Sequence, residues 1–148
     1  NASSNFAPMV EGFAGASDWL FERCELHSFT SQAVQSAKAM AIDGAVNLTM
    51  INGQLAAANG YIIQAYGNVQ GATFINTTFY TDQGPPAFAA IGSVHNAQIL
   101  NLTLINPNFA LTSGAVIVQT NGSATGRIFP GAGIPFNATT APGLTIYQ

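Results

Sequence analysis

Residues 72–79 read ATFINTTF, and the same pattern recurs on either side of them. Residues 48–55 read LTMINGQL and residues 97–104 read AQILNLTL. In each copy a polar residue and two apolar residues precede an asparagine, and an apolar residue follows it three positions later. The asparagines Asn52, Asn76 and Asn101 are 24 (52 to 76) and 25 (76 to 101) residues apart. A repeat of this length indicates a stacked architecture, in which each copy buries its apolar face against the next.

The repeated segments have the composition of short strands. Their apolar residues are β-branched or aromatic, come in runs of about 4 to 6 residues, and are separated by Gly, Asn, Pro and Asp. A degenerate copy occupies residues 18–26 and a fifth occupies residues 126–130. Parallel strands that return by way of the coil stack about 4.8 Å apart. We therefore expect an all-β parallel β-helix of about five turns over residues 18–148, preceded by a lead-in or cap segment at residues 1–17.

A second series of apolar segments alternates with the first. Its central residues recur at steps of 26 to 29 (34 to 63, 63 to 91, 91 to 117 and 117 to 146), and they are Val34, Ile63, Ile91, Ile117 and Ile146. Residues 31–41 leave two readings open, because their Ala, Gln and Lys content also suits a short helix.

Stacking places like residues over like residues. Asn52, Asn76 and Asn101 would then form an internal ladder, in which each side-chain amide bonds to the next. The residue before each asparagine is also apolar, at Ile51, Ile75 and Leu100. Strands that are apolar on both faces are usually covered on both faces. We expect this column to lie in a subunit interface.

The composition limits the classes of function. Only three residues are basic and six acidic, the formal charge is −3, and 6% of residues are charged against 48% hydrophobic. Soluble domains average about 25% charged residues, so we expect copies or partner chains to cover much of the surface. Three cations disfavour nucleic-acid binding, and no apolar run approaches the roughly 20 residues of a membrane span. The single cysteine excludes an internal disulfide and cysteine-based zinc sites, and we predict no metal and no cofactor.

The bend motif resembles that of a known superfamily. The pattern F-x-x-C-x-L at residues 21–26, followed by M-I-N, F-I-N and I-L-N, is similar to the bends of the right-handed parallel β-helices of the pectate-lyase superfamily. The resemblance covers about residues 18–148. That superfamily includes polysaccharide lyases, polygalacturonases and the trimeric tailspikes of bacteriophages. The low charge and the Asn, Thr, Gly and Ala content are most similar to a tailspike or tail-fibre segment.

The resemblance implies a structural and recognition role. A segment of this kind would form a homotrimer in the extracellular virion tail, contact other tail proteins and engage polysaccharide on the host cell surface. The residues at the start of the chain (NASS) lack the charged start and apolar core of a signal peptide. We therefore expect the chain to begin inside a longer polypeptide.

The alternative function is a carbohydrate-active enzyme, either a polysaccharide lyase or a glycoside hydrolase. Hydrolysis needs two carboxyl groups on one cleft, roughly 5 to 9.5 Å apart. The candidates are Glu22 and Glu25, which fall on different columns, and Asp43 and Asp82, which have the surroundings of turn residues. The motif set of polygalacturonases is absent, since Arg127-Ile128 is followed by Phe129 rather than lysine. The sequence therefore disfavours catalysis by this segment.

Binding of sugar rings would use exposed aromatic side chains, and the candidates are Trp19, Tyr61, Tyr66, Tyr80, Phe88 and Tyr147. Tyr80 and Phe88 flank residues 81–86, a predicted recognition loop that contains Asp82. We therefore predict that Tyr80, Asp82, Phe88 and Trp19 bind ligand.

A third hypothesis is an ice-binding solenoid. Thr49 and Thr73 stack in one column with Gln98, and regular threonine arrays on a flat β-solenoid resemble ice-binding surfaces. Two threonines followed by a glutamine make a short and irregular array.

Overall fold

A computed structural model of the chain describes residues 10–12, 15–28, 38–57, 61–80, 89–111, 116–120, 122–130 and 143–147. Within these ranges the chain forms sixteen strands, every strand pair is parallel, and there is no helix. The predicted fold class, an all-β parallel solenoid, is therefore confirmed. In chain order the strands are β1 (Val10–Gly12), β2 (Ala16–Ser17), β3 (Leu20–Glu22), β4 (Glu25–Ser28), β5 (Met40–Val46), β6 (Thr49–Ile51), β7 (Gln54–Ala57), β8 (Tyr61–Gln70), β9 (Thr73–Ile75), β10 (Thr78–Tyr80), β11 (Ala89–Ser93), β12 (Ile99–Ile105), β13 (Asn108–Ala110), β14 (Val116–Gln119), β15 (Ala124–Phe129) and β16 (Leu144–Ile146).

The strands stack into three faces. The front face consists of β3, β6, β9, β12, β15 and β16, paired in that order. The side face consists of β1, β5, β8, β11 and β14, with β2 also paired to β5, and it is continuous with the front face through the pairing of β8 with β12. The small sheet consists of β4, β7, β10 and β13. Within the described ranges three complete turns run from β5 to β13, with the shorter strands β1 to β4 before them and β14 to β16 after them, where about five turns were predicted.

Two columns of left-handed residues turn the chain at either end of the front-face strands. One column contains Asp18, Asn47, Gly71 and Asn101, and the other contains Arg23, Asn52, Asn76 and Asn106. All eight have positive φ, between 48° and 73°. Asparagine and glycine enter this region at the lowest cost. The asparagines of the motif are therefore required by the corners of the coil.

The amide ladder runs along the second of these columns. The Nδ2 of Asn76 donates to Oδ1 of Asn52 at 3.0 Å, and the Nδ2 of Asn106 donates to Oδ1 of Asn76 at 2.9 Å. Asn101 was wrongly predicted as the third member, because it lies in the other corner column. Residues 102–106 (LTLIN) are the true copy of residues 48–52 (LTMIN), and the step from Asn76 to Asn106 is 30 residues.

The same shift of five residues changes the third member of the predicted isoleucine column and of the predicted threonine column. Ile105, rather than Leu100, pairs in register with Ile75, and Leu100 instead pairs with Gln70. Thr103, rather than Gln98, pairs with Thr73.

The second strand series also needs correction. Ile91 pairs with Ile63 as predicted, but its partner on β14 is Val118 rather than Ile117. The residue that pairs with Ile63 on β5 is Met40. β16 belongs to the front face, since it pairs with β15. Val34 and residues 31–37, where a helix was the alternative, lie outside the described residues.

The interior is filled by the middle residue of each short strand. Phe74 and Phe79 meet edge to face with ring centroids 5.4 Å apart, and Phe79 stacks on Phe109 at 5.2 Å. Met50 and Leu104 are fully buried beside them. The described part of the lead-in segment, β1 and β2, pairs with β5. No helix in the described ranges has the length and apolarity needed to cross a membrane.

The ladder predicts a graded loss of stability at Asn76. Asn76→Gly keeps the positive φ but removes two exposed hydrogen bonds between side-chain amides. It should lower the free energy of unfolding by about 1 kcal/mol. Asn76→Ala removes the same hydrogen bonds and keeps a Cβ in the left-handed region without the short polar side chain that lets asparagine tolerate it, so its loss should be about 2–3 kcal/mol. Urea denaturation measures both variants. The control Asn108→Ala, an exposed strand position, should change stability by less than about 0.5 kcal/mol.

Equal losses for the two Asn76 variants would show that the left-handed corner does not matter. A loss no larger than that of Asn108→Ala would show that the ladder contributes nothing.

Candidate binding groove on the front face

Each short front-face strand points its middle residue into the coil and its two outer residues outward. The register therefore builds two outward columns. The first column contains Leu20, Thr49, Thr73, Thr103, Arg127 and Thr145. The second column contains Glu22, Ile51, Ile75, Ile105, Phe129 and, at the end, Tyr147.

After Glu22 the second column is apolar, and it is half-buried at Ile51 and Ile75 and exposed from Ile105 onward. Ile105 is 38% exposed, Phe129 36% and Tyr147 46%, and the rings of Phe129 and Tyr147 stack with centroids 4.7 Å apart. Leu20, at the far end of the first column, is 64% exposed. Contiguous apolar surface of this kind is typical of interaction sites. The apolar column thus makes the front face a candidate for contact with another molecule.

A groove on the same face has Gly126 among its lining residues. A Cβ at this position would lie 2.2 Å from the carbonyl oxygen of Leu102, so only glycine allows the two strands to approach this closely. The groove has a volume of about 470 Å³, and we call it the Arg127 groove. Its lining residues are Asn101, Leu102, Thr103, Gly126, Arg127, Thr145 and Tyr147.

The Arg127 groove combines the groups that a sugar-binding site needs. Arg127 provides a planar, permanently charged fork of donors that matches carboxylates and paired oxygens. Thr103, Thr145 and Asn101 add hydroxyl and amide groups, and Tyr147 adds an exposed ring. Within the described ranges the one ion pair joins Arg23 to Glu22, at 3.9 Å, so no described carboxylate neutralises Arg127. The guanidinium is therefore able to bind a ligand oxygen.

The predicted catalytic carboxylates do not meet. Glu22 ends β3 on the front face, Glu25 begins β4 in the small sheet, and Asp43 lies in β5 on the side face. All three are exposed. Asp43 was expected in a turn, but it stands in a strand beside a bulge. Asp82 lies outside the described residues. These three carboxylates therefore do not form the paired arrangement that glycoside hydrolysis requires.

Two of the aromatic residues predicted to bind ligand pack against other side chains of the protein. Trp19 is half-buried and meets Phe21 edge to face at 6.0 Å. Tyr80, on the small sheet, places its hydroxyl 3.3 Å from Nδ1 of His27, and the two rings meet edge to face at 5.4 Å. Phe88 lies outside the described residues, as does the predicted recognition loop at residues 81–86.

Sequence reasoning included Tyr147 among the aromatic candidates and missed Arg127. The signal for Arg127 was its place in the fifth copy, residues 126–130, where it stands in the column of Thr49 and Thr73. In the described part of the chain no three His, Cys, Asp or Glu side chains come together to hold a metal ion. No family model, no curated protein and no solved structure matches the chain. The structure shows a parallel β-solenoid, and membership of the pectate-lyase superfamily stays a prediction from the bend motif.

Proposed function

We propose that this chain is a structural and recognition segment that binds cell-surface polysaccharide in the Arg127 groove. The observation that carries the proposal is the groove itself, where a cation without a described carboxylate partner lies among hydroxyl, amide and aromatic groups. Convergent polar groups of this kind fix the orientation of a bound ligand. This role corresponds to that of phage tailspikes and tail fibres, with the virion tail as the location and other tail proteins as neighbours.

Assembly through the front face is the second part of the proposal. The column of Ile51, Ile75, Ile105 and Phe129 crosses four adjacent strands and is apolar throughout, and Tyr147, beyond Phe129, lies outside the proposed contact. Sister chains that cover this column remove its surface from water, which stabilises the assembly by roughly 25 cal/mol for each Å² of apolar area buried. It also accounts for a chain in which 6% of residues are charged. A homotrimer would place the Arg127 groove beside the subunit boundary.

Replacement of Arg127 tests the recognition role. Wild-type chain applied to an array of bacterial capsular polysaccharides and lipopolysaccharides should bind at least one of them. Arg127→Gln should weaken that binding about tenfold, because a charge-assisted contact contributes roughly 1.5–3 kcal/mol. Arg23→Gln is the matched control, since Arg23 is exposed, pairs with Glu22 and lies outside the groove. Absence of wild-type binding, or equal affinity of the two variants, would refute the proposal.

The corrected register favours one second candidate, ice binding. The outward column reads Thr49, Thr73 and Thr103 on three successive strands, where the sequence had predicted a glutamine in third place. Threonine stands two residues before isoleucine in each strand, so the two columns form a grid. Its spacings are about 4.8 Å between strands and about 6.6 Å along them. Ice binding requires this face to be open, so it excludes assembly through the same surface.

Inhibition of ice recrystallisation distinguishes the two candidates. If the grid binds ice, the wild-type chain should inhibit recrystallisation. Thr73→Lys should then abolish the inhibition by placing a long charged side chain at the centre of the grid. Thr78→Lys, a threonine of the same turn on the small sheet, should leave it intact. A wild-type chain without inhibition, or equal inhibition by both variants, would eliminate this candidate.

A further inference from the structure

The side face departs from regular stacking at Tyr66. β5 and β8 pair at Ile42 with Ala65 and next at Asp43 with Gly67, which leaves Tyr66 as an extra residue on β8. A bulge of this kind re-aims a side chain and is over-represented next to functional sites. Tyr66 is half-buried, so part of its side chain remains accessible to solvent.

A tight turn on the next strand lies beside the bulge. The pairing of β11 with β8 ends at Ser93, and a hydrogen bond from the Ala97 N–H to the Val94 carbonyl closes a turn. Its central residues, His95 and Asn96, have φ of 54° and 59°. Two consecutive non-glycine residues at positive φ are costly, and such conformations persist where the surroundings hold them.

Both neighbouring strands brace this turn. The Asn68 side chain accepts a hydrogen bond from the Gln98 N–H at 2.9 Å. From the other side, the Thr120 hydroxyl donates to the Ala97 carbonyl at 3.2 Å and contacts the Ser93 hydroxyl. His95 is therefore presented from a fixed turn, at the position where the bulge presents Tyr66.

The side chains of the bulge and the turn form a polar cluster with Lys38. The Lys38 amine donates to the Tyr66 hydroxyl at 2.9 Å, and that hydroxyl donates to Oε1 of Gln64 at 3.1 Å. The ring of His95 lies 6.1 Å from that of Tyr66, and the Lys38 amine lies 5.5 Å from the Tyr66 centroid. We call Lys38, Gln64, Tyr66 and His95 the bulge site.

Lys38 gives the bulge site its charge. An ammonium group has three donors, and the contact with Tyr66 uses one of them. In the ranges that the structure describes, no carboxylate lies within 4.0 Å of Lys38. Asp43 on β5 pairs with Gly67, the residue after Tyr66 on β8. Among the described acidic residues it is the one whose strand position lies beside the cluster. A half-buried cation with unused donors, next to an aromatic ring, is suited to an anionic sugar.

We infer that the bulge site binds the anionic group of an acidic saccharide, either a uronic acid carboxylate or a sulfate ester. Lys38 and His95 contact the oxyanion, and Tyr66 contacts the sugar. The inference takes the polysaccharide ligand from the proposed function and adds that this ligand is acidic. It does not depend on the Arg127 groove, which lies on the front face.

Titrations of the full chain with short oligosaccharides test the inference. Amide chemical shifts in NMR spectra would be followed during titration with trigalacturonate, a sulfated galactotriose and a neutral galactotriose. One acidic probe should move the amides of residues 64–67 and 94–97, and the neutral probe should not. The acidic probe that causes the shifts identifies the oxyanion.

Variants separate binding from packing. Lys38→Met should weaken binding of the acidic probe about tenfold. Asp43→Asn should bind it at least as tightly as wild type, because it removes a repelling charge. Arg127→Gln should leave the shifts at residues 64–67 unchanged, so failure of the groove and failure of this site can be distinguished.

Three results would overturn the inference. They are the absence of shifts at residues 64–67 with both acidic probes, equal binding of acidic and neutral probes, and an unchanged affinity in Lys38→Met. A weaker affinity in Asp43→Asn would contradict the electrostatic part of it.

Discussion

The solenoid depends on corners that few residue types can form. The chain enters the left-handed region at both ends of β3, β6 and β9 and on either side of residues 102–105, and five of these eight corner residues are asparagine. Asparagine tolerates this conformation, and its side chain also bonds to the asparagine of the next turn, as Asn76 does with Asn52 and Asn106. The corner therefore fixes the bend within a turn and the register between turns.

The outer surface of the front face follows from these corners. Four residues lie between the two left-handed corners of a turn, as residues 48–51 do between Asn47 and Asn52. The first and third side chains point inward and the second and fourth point outward, so each turn adds one member to each outward column. One column is a threonine series that includes Arg127 near its end. The other is an apolar series that ends at Phe129 and Tyr147. A surface with so few charges and a continuous apolar stripe is suited to contact with another molecule rather than with water.

The fold could be predicted from the sequence, because each copy of the motif contains both the apolar residues of a strand and the asparagine of the corner that follows it. It misassigned one register, because asparagines occupy both corner columns five residues apart. A constant period then selected Asn101, although the longer match leads to Asn106. The connections outside the corners vary freely in length, so steps of 24 and 30 residues coexist. The groove at Gly126 and the bulge at Tyr66 were not predictable, since both depend on which residues of neighbouring strands pair with each other.

The central claim is that sister chains cover the apolar column of the front face, which contains Ile51, Ile75, Ile105 and Phe129. The most direct test is the solution mass of the purified chain by light scattering, in low and high salt. The expected result is three times the chain mass of 15.3 kDa, unchanged by salt because the contact is apolar. Ile75→Lys should reduce it to the mass of one chain that still gives a β-type circular dichroism spectrum. A wild-type chain that is monomeric under both conditions would contradict the claim.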